Sequence, residues 1–200
     1  MQQNNLFEQM IQSLIDNEYA ISNHFITTET ALALKNNLLQ RYQQDKMHPA
    51  GIGKNFDYAK NTKVRGDVIS WIEDNTSNQT EQILFEQINS FIQYLNQTCY
   101  TNINSYEFHY AFYEKGSFYK KHLDQFRADR ARQFSLVIYL NDDWTTEDEG
   151  NLQLYLPNKT ISILPFAGTA VLFKSDKIEH EVLPSTTKNR LSIAGWLKNG

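Results

Sequence analysis

The first hundred residues contain three stretches in which apolar residues recur at helical spacing. The first stretch comprises Leu6, Met10, Leu14 and Ile15. The second runs from Thr28 to about Asp45 and carries Ala31, Leu34, Leu38 and Tyr42 on one face. The third runs from about Gln79 to Thr98 with Ile83, Ile88, Phe91 or Ile92, and Leu95 on its inner side. These stripes predict three amphipathic helices that pack against a sheet.

After residue 100 the hydrophobic period changes to two. Tyr106, Phe108, Tyr110 and Phe112 alternate with Glu107, His109 and Ala111, which predicts a strand with one aromatic face. Five further strands are predicted at Phe134–Leu140, Leu152–Leu156, Thr169–Lys174, His180–Leu183 and Leu191–Trp196. Turn residues rich in Asn, Asp, Gly and Pro separate them. Many short strands with regular turns are typical of a jelly roll or barrel.

Helices followed by strands predict an α+β fold, in which N-terminal helices buttress a jelly roll (a double-stranded β-helix). The length fits a single domain spanning residues 1–200. Within it, we expect residues 1–100 to be mainly helical support and residues 101–200 to be the jelly-roll core. The segment Lys46–Lys63, with His48, Pro49, Gly51 and Gly53, shows little periodicity. We therefore expect a long loop there that acts as a lid.

Composition and charge exclude several classes of protein. The net charge of −4 gives no electrostatic basis for binding nucleic acid. No stretch approaches the ~18 continuous apolar residues of a membrane span, and the N-terminus lacks the features of a signal peptide. The single cysteine, Cys99, cannot form an internal disulfide, and we interpret it as a half-buried packing residue. These features are typical of a soluble cytoplasmic protein.

Candidate chemistry lies in His122-Leu123-Asp124, followed by His180 and then Arg190. Residues two apart on an extended segment point to the same side, so His122 and Asp124 can bind one metal together with a distant histidine. Two histidines and one carboxylate with open positions are the ligands of non-haem Fe(II) oxygenases. Spacing alone leaves the alternative open that these are a surface imidazole, a turn aspartate and a hydrogen-bonded histidine. The remaining histidines, His24, His48 and His109, lack such partners and are interpreted as surface or packing residues.

Longer motifs surround these residues. They are Tyr113-x-x-Gly116-x-x-Tyr119-x-x-His122-x-Asp124, Ile138-Tyr139-Leu140-Asn141-x-Asp143-Trp144, Gly150-x-Leu152, His180-Glu181-Val182 and the run from Arg190 to Trp196. Together they resemble the prolyl-4-hydroxylase group of 2-oxoglutarate/Fe(II) oxygenases. Val64-Arg65-Gly66-Asp67-x-Ile69-x-Trp71-Ile72 is similar to a segment of the hypoxia-inducible-factor prolyl hydroxylases and their bacterial relatives. Two departures are Glu149, where a second glycine is common, and Ala194, where a small hydroxyl residue is found.

The resemblance implies a role for each matching position. His122, Asp124 and His180 would bind Fe(II), and Arg190 would pair with the distal carboxylate of 2-oxoglutarate. The cosubstrate pocket would also contain Tyr139 and Tyr113 as hydroxyl donors, and Leu152 and Val182 as apolar walls. The substrate-binding residues would be Asp67, Arg132, Tyr119 and Trp196. Ascorbate is a further candidate cofactor.

The implied function is hydroxylation of a prolyl residue in a protein or peptide by dioxygen, with decarboxylation of 2-oxoglutarate to succinate. One alternative is the same chemistry on another protein residue or a free amino acid. Another is a jelly-roll binding module without catalysis. We also expect an ion pair between Asp67 and Arg132 that anchors the end of the Lys46–Lys63 loop near the iron; separate surface charges are the alternative.

Overall fold

The computed structural model describes residues 2–51, 63–125 and 130–200. In chain order its elements are α1 (Gln2–Asn17), β1 (Tyr19–Ser22), α2 (Thr28–Gln43), β2 (His48–Pro49), β3 (Val68–Ile72), α3 (Gln79–Cys99), β4 (Ser105–Tyr113), β5 (Tyr119–His122), β6 (Arg132–Tyr139), β7 (Leu152–Leu156), β8 (Lys159–Ile163), β9 (Ala170–Lys174), β10 (Glu179–Val182) and β11 (Arg190–Lys198). A short 3-10 turn occupies Thr146–Asp148. The three predicted helices are confirmed. Within the described residues, no helix has the combination of length and apolarity needed to cross a bilayer.

The strands form two antiparallel sheets. A seven-stranded sheet has the order β1-β9-β6-β11-β4-β3-β2, and a four-stranded sheet has the order β5-β10-β7-β8. A hydrophobic cluster that includes Tyr113 and Val171 of the larger sheet with Leu152 and Val182 of the smaller one fills the space between them. The helices contribute to a second cluster on the other face of the larger sheet. This is the predicted α+β arrangement of a double sheet with buttressing helices.

The side chains of strand β4 point alternately into the two hydrophobic clusters. Phe108, Tyr110 and Phe112 belong to the cluster with the helices, whereas Ala111 and Tyr113 belong to the cluster between the sheets. Successive side chains of a strand point to opposite faces, so every second residue of β4 points toward the smaller sheet. The aromatic face predicted from the sequence therefore carries the helices, and the opposite face carries the residues discussed below.

Two residues that were assigned to the buried faces of the helices are exposed, so their assignment was wrong. Ile15 is 63% exposed and Ile83 is 46% exposed. Ile15 follows the buried Leu14 directly, and consecutive residues of a helix are turned by about 100° from each other, so it lies off the face that packs on the core. Cys99 is half-buried and packs against the helical core, as expected.

The larger sheet also receives strands from before residue 100. β1 pairs with β9 at one edge, while β2 and β3 continue the sheet beyond β4 at the other edge. These three strands, with β5 and β8, were not predicted. The Lys46–Lys63 segment begins with β2, and Gly51 is described; residues 52–62 of the predicted lid, including Gly53, lie outside the described residues.

Candidate active site

Two neighbouring strands of the smaller sheet bring the candidate metal ligands together. His122 on β5 and His180 on β10 are direct register partners. His122 Nε2 lies 3.5 Å from Asp124 Oδ1, and His180 Nε2 lies 3.5 Å from Asp124 Oδ2. One ligand atom from each of the three residues lies within 4.8 Å of the others. The structure thus joins residues that are far apart in sequence into one compact group.

Hydrogen bonds to the backbone fix which imidazole nitrogen is available. His122 Nδ1 lies 2.7 Å from the carbonyl oxygen of Lys120, and His180 Nδ1 lies 3.2 Å from that of Ile178. A carbonyl oxygen can only accept, so each Nδ1 carries the proton and donates it. Each Nε2 is then the nitrogen that faces Asp124, and with Nδ1 held by the backbone it is the one available to a metal.

The protonation states of this group suit a divalent cation. Burial lowers the pKa of His180 to about 4, so its imidazole is neutral. Burial acts against the charged form of Asp124, but the adjacent His180 and His122 and the Ser135 hydroxyl hold the pKa of this carboxyl well below its ordinary range. Ser135 Oγ donates to Asp124 Oδ2 over 2.7 Å and so orients the carboxylate.

The three residues lie in a cavity of about 730 Å³ between the two sheets. Leu152 and Val182, paired in register on β7 and β10, form part of its apolar wall. Tyr113 and Arg190, paired in register on β4 and β11, line it as well. Both expected apolar walls, with Arg190 and Tyr113 of the expected cosubstrate residues, therefore surround the same space as the metal ligands, whereas Tyr139 is not among the described residues that line it.

Arg190 is a buried cation. It is 2% exposed, and its guanidinium donates from Nε to the carbonyl oxygen of Gly150 over 3.1 Å and from Nη1 to Ser192 Oγ over 3.4 Å. None of the carboxylates among the described residues lies within ion-pair distance of it. A buried charge is costly unless it is paired, so this position favours an anionic ligand.

Two phenols flank this arginine. The Arg190 guanidinium carbon lies 5.2 Å from the ring centroid of Tyr113 and 5.0 Å from that of Tyr139. The hydroxyl of Tyr139 is buried and has no hydrogen-bond partner in the described structure. Burial raises the pKa of both phenols, so both hydroxyls stay protonated and can donate. A carboxylate bound to Arg190 would satisfy the orphaned hydroxyl of Tyr139.

Gly150 contacts Arg190 from behind the cavity wall. Its φ of +70° lies in the left-handed region that favours glycine, and an added Cβ would meet Trp144 Cζ2 at 3.0 Å and Ser185 Cβ at 3.2 Å. Glu149, one of the two departures from the family pattern, also has a positive φ of 55°. Its carbonyl oxygen accepts a hydrogen bond of 2.9 Å from Trp144 Nε1, which holds this strained turn in place beside Arg190.

A second arrangement of side chains supports His122. Tyr119 stacks on the His122 imidazole with ring centroids 3.6 Å apart, and the Arg65 guanidinium lies 4.2 Å from the Tyr119 ring centroid. Arg65 in turn donates to both carboxylate oxygens of Asp67, over 2.7 and 2.6 Å. The expected ion pair between Asp67 and Arg132 was therefore wrong. Residues two apart in an extended segment point to one side, which brings Arg65 rather than Arg132 to Asp67.

Arg132 lies at another part of the cavity. It donates to Glu107 Oε1 over 2.8 Å, and its guanidinium carbon lies 3.4 Å from the ring centroid of Trp196. Arg132, Trp196 and Tyr119, all expected to bind substrate, line the cavity, whereas Asp67 is 2% exposed and is not among the described residues that line it. Asp67 acts through Arg65 in this structure.

Comparison with known proteins agrees with this geometry. Residues 108–198 match the family model of the 2OG-Fe(II) oxygenase superfamily. A crystal structure of a Pseudomonas putida prolyl-4-hydroxylase is 29% identical, with 97% of this chain and 99% of that chain covered and a TM-score of 0.88. The chain contains a 2OG-Fe(II) oxygenase domain. The family inferred from the sequence motifs is thereby confirmed.

Two further structures place this oxygenase among similar folds. A prolyl hydroxylase from Trichoplax adhaerens, solved in complex with a hypoxia inducible factor oxygen degradation domain peptide fragment, is 26% identical, with 98% of this chain and 90% of that chain covered and a TM-score of 0.88. A Phytophthora capsici prolyl 4-hydroxylase shares the fold at 20% identity, with 99% of this chain and 64% of that chain covered and a TM-score of 0.79. The oxygenase uses Fe(II) and 2-oxoglutarate, and the observed donors fit both groups.

Several residues of the cavity were not identified as functional from the sequence. Ser135 orients Asp124, and Arg65 packs on Tyr119. His109, interpreted from the sequence as a surface or packing residue, lines the cavity together with Trp71. Its position on β4, four residues before Tyr113, is the signal that would have identified it, because both side chains point to the same face.

Proposed function

We propose that this dioxygenase hydroxylates a prolyl residue of a protein or peptide, using Fe(II), 2-oxoglutarate and dioxygen. The observation that carries the proposal is one cavity containing a His-Asp-His group and, on its wall, a buried arginine without a carboxylate partner among the described residues. The prolyl substrate is supported by the similarity to the Pseudomonas putida and Trichoplax adhaerens enzymes, over nearly the whole chain.

Each group of side chains has a distinct task in this mechanism. His122, Asp124 and His180 would hold Fe(II) and leave about three positions open. Bound iron with 2-oxoglutarate and dioxygen supplies the oxidising chemistry, in which the cosubstrate becomes succinate and CO2. Arg190 would grip the distal carboxylate with its planar fork, while Tyr139 donates to the same group.

The apolar wall strengthens these interactions. Leu152 is 1% exposed and Val182 is 7% exposed, and both line the cavity beside the metal ligands. Excluding water lowers the local dielectric, so the attraction between Arg190 and a carboxylate is greater than it would be at the surface. A dry site also protects reactive species from side reactions. The chain thus provides binding, orientation and exclusion of water.

The substrate is proposed to enter beside Trp196. Tyr119, Trp196 and the Arg132–Glu107 pair line the cavity, and Trp196 and Glu107 pair in register toward the end of β4 and β11 away from Arg190. Aromatic surfaces next to a charged pair suit a peptide with an apolar residue in the site and polar groups around it. A free amino acid would bring both of its charges into this region.

The test is a turnover assay with the iron-loaded enzyme. Succinate is measured with a panel of proline-containing peptides and with free proline, and the peptides are checked by mass spectrometry for a gain of one oxygen. His180→Ala should abolish both signals, whereas His24→Ala, a matched change at an exposed histidine outside the cavity, should leave them unchanged. Oxidation of free proline alone would favour the free-amino-acid alternative. Normal turnover by His180→Ala would refute the metal assignment.

The biological substrate can be sought directly. Intact-mass analysis of cell-extract proteins treated with the enzyme would reveal a protein that gains one oxygen. If iron and 2-oxoglutarate support no turnover of any kind, the alternative of a non-catalytic binding module replaces this proposal. Use of ascorbate and a cytoplasmic location stay predictions from the sequence.

A further inference from the structure

His109 is held inside the cavity by aromatic neighbours from two strands. It lies on β4 and pairs in register with Trp71 on β3 and with Ala194 on β11. Its ring centroid is 4.9 Å from that of Trp71 and 5.6 Å from that of Trp196. The side chain is 4% exposed. Ala194, a departure from the family pattern, lines the cavity opposite His109 with only a methyl group.

Two nitrogens of this cluster have no hydrogen-bond partner. In the described parts of the chain, only three buried side-chain nitrogen or oxygen atoms are unpaired, and two of them are His109 Nδ1 and Trp196 Nε1. Buried polar atoms are nearly always hydrogen-bonded, so orphaned donors at a cavity wall are available to a ligand that enters it. Burial, with Arg65 nearby, lowers the pKa of His109 to about 4, so the imidazole is neutral.

The cluster lies away from the cosubstrate end of the cavity. His109 precedes Tyr113 by four residues of extended strand, which corresponds to about 13 Å at ~3.3 Å per residue. Tyr113 pairs with Arg190, whereas Trp196 pairs with Glu107 at the other end of the strand pair. A cosubstrate carboxylate held by Arg190 therefore leaves His109 and Trp196 available to the other substrate, the one that is hydroxylated.

The donors of this cluster select the chemistry of their ligand. An indole nitrogen can only donate, and a neutral imidazole has one N–H to donate. The two ring centroids lie 5.6 Å apart, a separation that one acceptor with two lone pairs can bridge by accepting an N–H from each ring. Arg132, the cation that stacks on Trp196, is already paired with Glu107. Neutral donors beside a cation that is already paired suit a neutral carbonyl better than a carboxylate.

We propose that His109 and Trp196 form a subsite that binds the carbonyl oxygen of a peptide bond in the primary substrate, with each ring donating one N–H. The inference rests on the proposed function, since it assumes a peptide substrate. Both nitrogens are covered in this structure, so a covering ring has to turn when the peptide binds. Trp71, 46% exposed and packed against His109, is that ring.

The test measures binding to the enzyme loaded with Mn(II) and 2-oxoglutarate. The probes are N-acetylproline N-methylamide and its two thioamides, in which one carbonyl oxygen or the other is replaced by sulfur, a weaker acceptor. Wild-type enzyme should bind one thioamide about fivefold or more weakly than the amide. This loss of affinity, called the sulfur penalty below, is the loss expected for one neutral hydrogen bond. His109→Met and Trp196→Phe should each reduce that sulfur penalty, and His109→Asn, which keeps an N–H donor, should retain part of it.

A matched control separates recognition from structural damage. His24→Met, at an exposed histidine outside the cavity, should keep the full sulfur penalty and leave 2-oxoglutarate turnover without peptide within about twofold of wild type. An unchanged sulfur penalty in His109→Met, or an equal loss of peptide-dependent and peptide-free turnover, would overturn the subsite. If only propanamide, a mimic of a side-chain amide, binds in a His109-dependent way, the peptide carbonyl is the wrong ligand. Failure of the proposed function is distinct: iron-loaded wild type would then oxidise no proline-containing peptide, whatever the sulfur penalty.

Discussion

Replacing Arg190 with lysine is the sharpest test of the cosubstrate site. Lysine keeps the positive charge but loses the planar fork that can grip both oxygens of a carboxylate. It also loses the two observed bonds that aim the fork, from Nε to the Gly150 carbonyl and from Nη1 to Ser192. We therefore expect the variant to retain the metal and the fold but to bind 2-oxoglutarate weakly.

The size of the loss follows from the burial of Arg190. A hydrogen bond to a charged group contributes about 1.5–3 kcal/mol, which corresponds to roughly 10- to 150-fold in the dissociation constant of 2-oxoglutarate. At a cosubstrate concentration 100 times the wild-type constant, binding stabilises the wild type by about 2.7 kcal/mol. The same concentration should stabilise Arg190→Lys by only ~0.3–1.4 kcal/mol.

Thermal unfolding of the Mn(II)-loaded proteins measures this difference. At roughly 2–4 °C per kcal/mol for a chain of this size, the cosubstrate should raise the wild-type Tm by ~5–11 °C and the variant Tm by ~1–6 °C. Using the shift within each protein removes any change in its basal stability. Arg41→Lys is the matched control, because Arg41 is paired with Glu81 outside this cavity. An Arg190→Lys shift as large as that of wild type would refute the role of Arg190.

Three further predictions concern neighbouring groups. Tyr139→Phe removes a buried hydroxyl that has no partner among the described residues, so it should weaken 2-oxoglutarate binding by about fivefold. The Mn(II)-loaded variant without cosubstrate should be at least as stable as wild type, and a lower stability of that form would contradict the reasoning. Gly150→Ala places a Cβ on a residue of left-handed conformation, 3.0 Å from Trp144, so the free energy of unfolding should fall by about 1–3 kcal/mol. A smaller fall, measured by denaturant titration, would show that the turn adapts to the methyl group. The folded pKa of His109, about 4, lies below its unfolded value of 6.5, so the unfolded chain takes up the proton first as the pH falls. The unfolding free energy of His109→Met should therefore gain on that of wild type between pH 6.5 and pH 4, by up to ~3 kcal/mol, and a constant difference across that range would contradict the burial of a neutral imidazole.

Much of the architecture follows from hydrophobic period. The helices were predictable because each buries one stripe against the sheet, and β7 was predicted with its observed bounds, Leu152–Leu156. The strands that were missed lack such a pattern. β5 reads Tyr119-Lys120-Lys121-His122 and is a strand because β10 pairs with it, which is a tertiary contact that local sequence does not contain.

Those parts of the site were predictable that follow from the spacing of residues in the sequence or from the alternation of side chains along a strand. The His-x-Asp pair and the later histidine identified the metal group, and the alternation of β4, followed back from Tyr113, leads to His109. The same two-residue spacing on an extended segment predicts that Arg65 meets Asp67. Arg132, the partner expected for Asp67, is distant in sequence, whereas the observed partner is the local charge. The pairing of Arg132 with Glu107 could not be predicted, because it depends on which strands become neighbours.

The unpaired polar groups of this protein are concentrated rather than scattered. Across the described residues, the buried orphans are the Tyr139 hydroxyl, His109 Nδ1 and Trp196 Nε1, and the buried Arg190 adds a cation without a carboxylate partner. Each such group costs free energy in the unliganded protein. Arg190 and Tyr139 lie together at one end of the β4–β11 pair, and His109 and Trp196 lie toward the other, with the metal ligands lining the same cavity. A single carboxylate would satisfy the first pair and a single carbonyl the second. These uncompensated costs of folding therefore lie where two different ligands can offset them, toward the two ends of the β4–β11 pair.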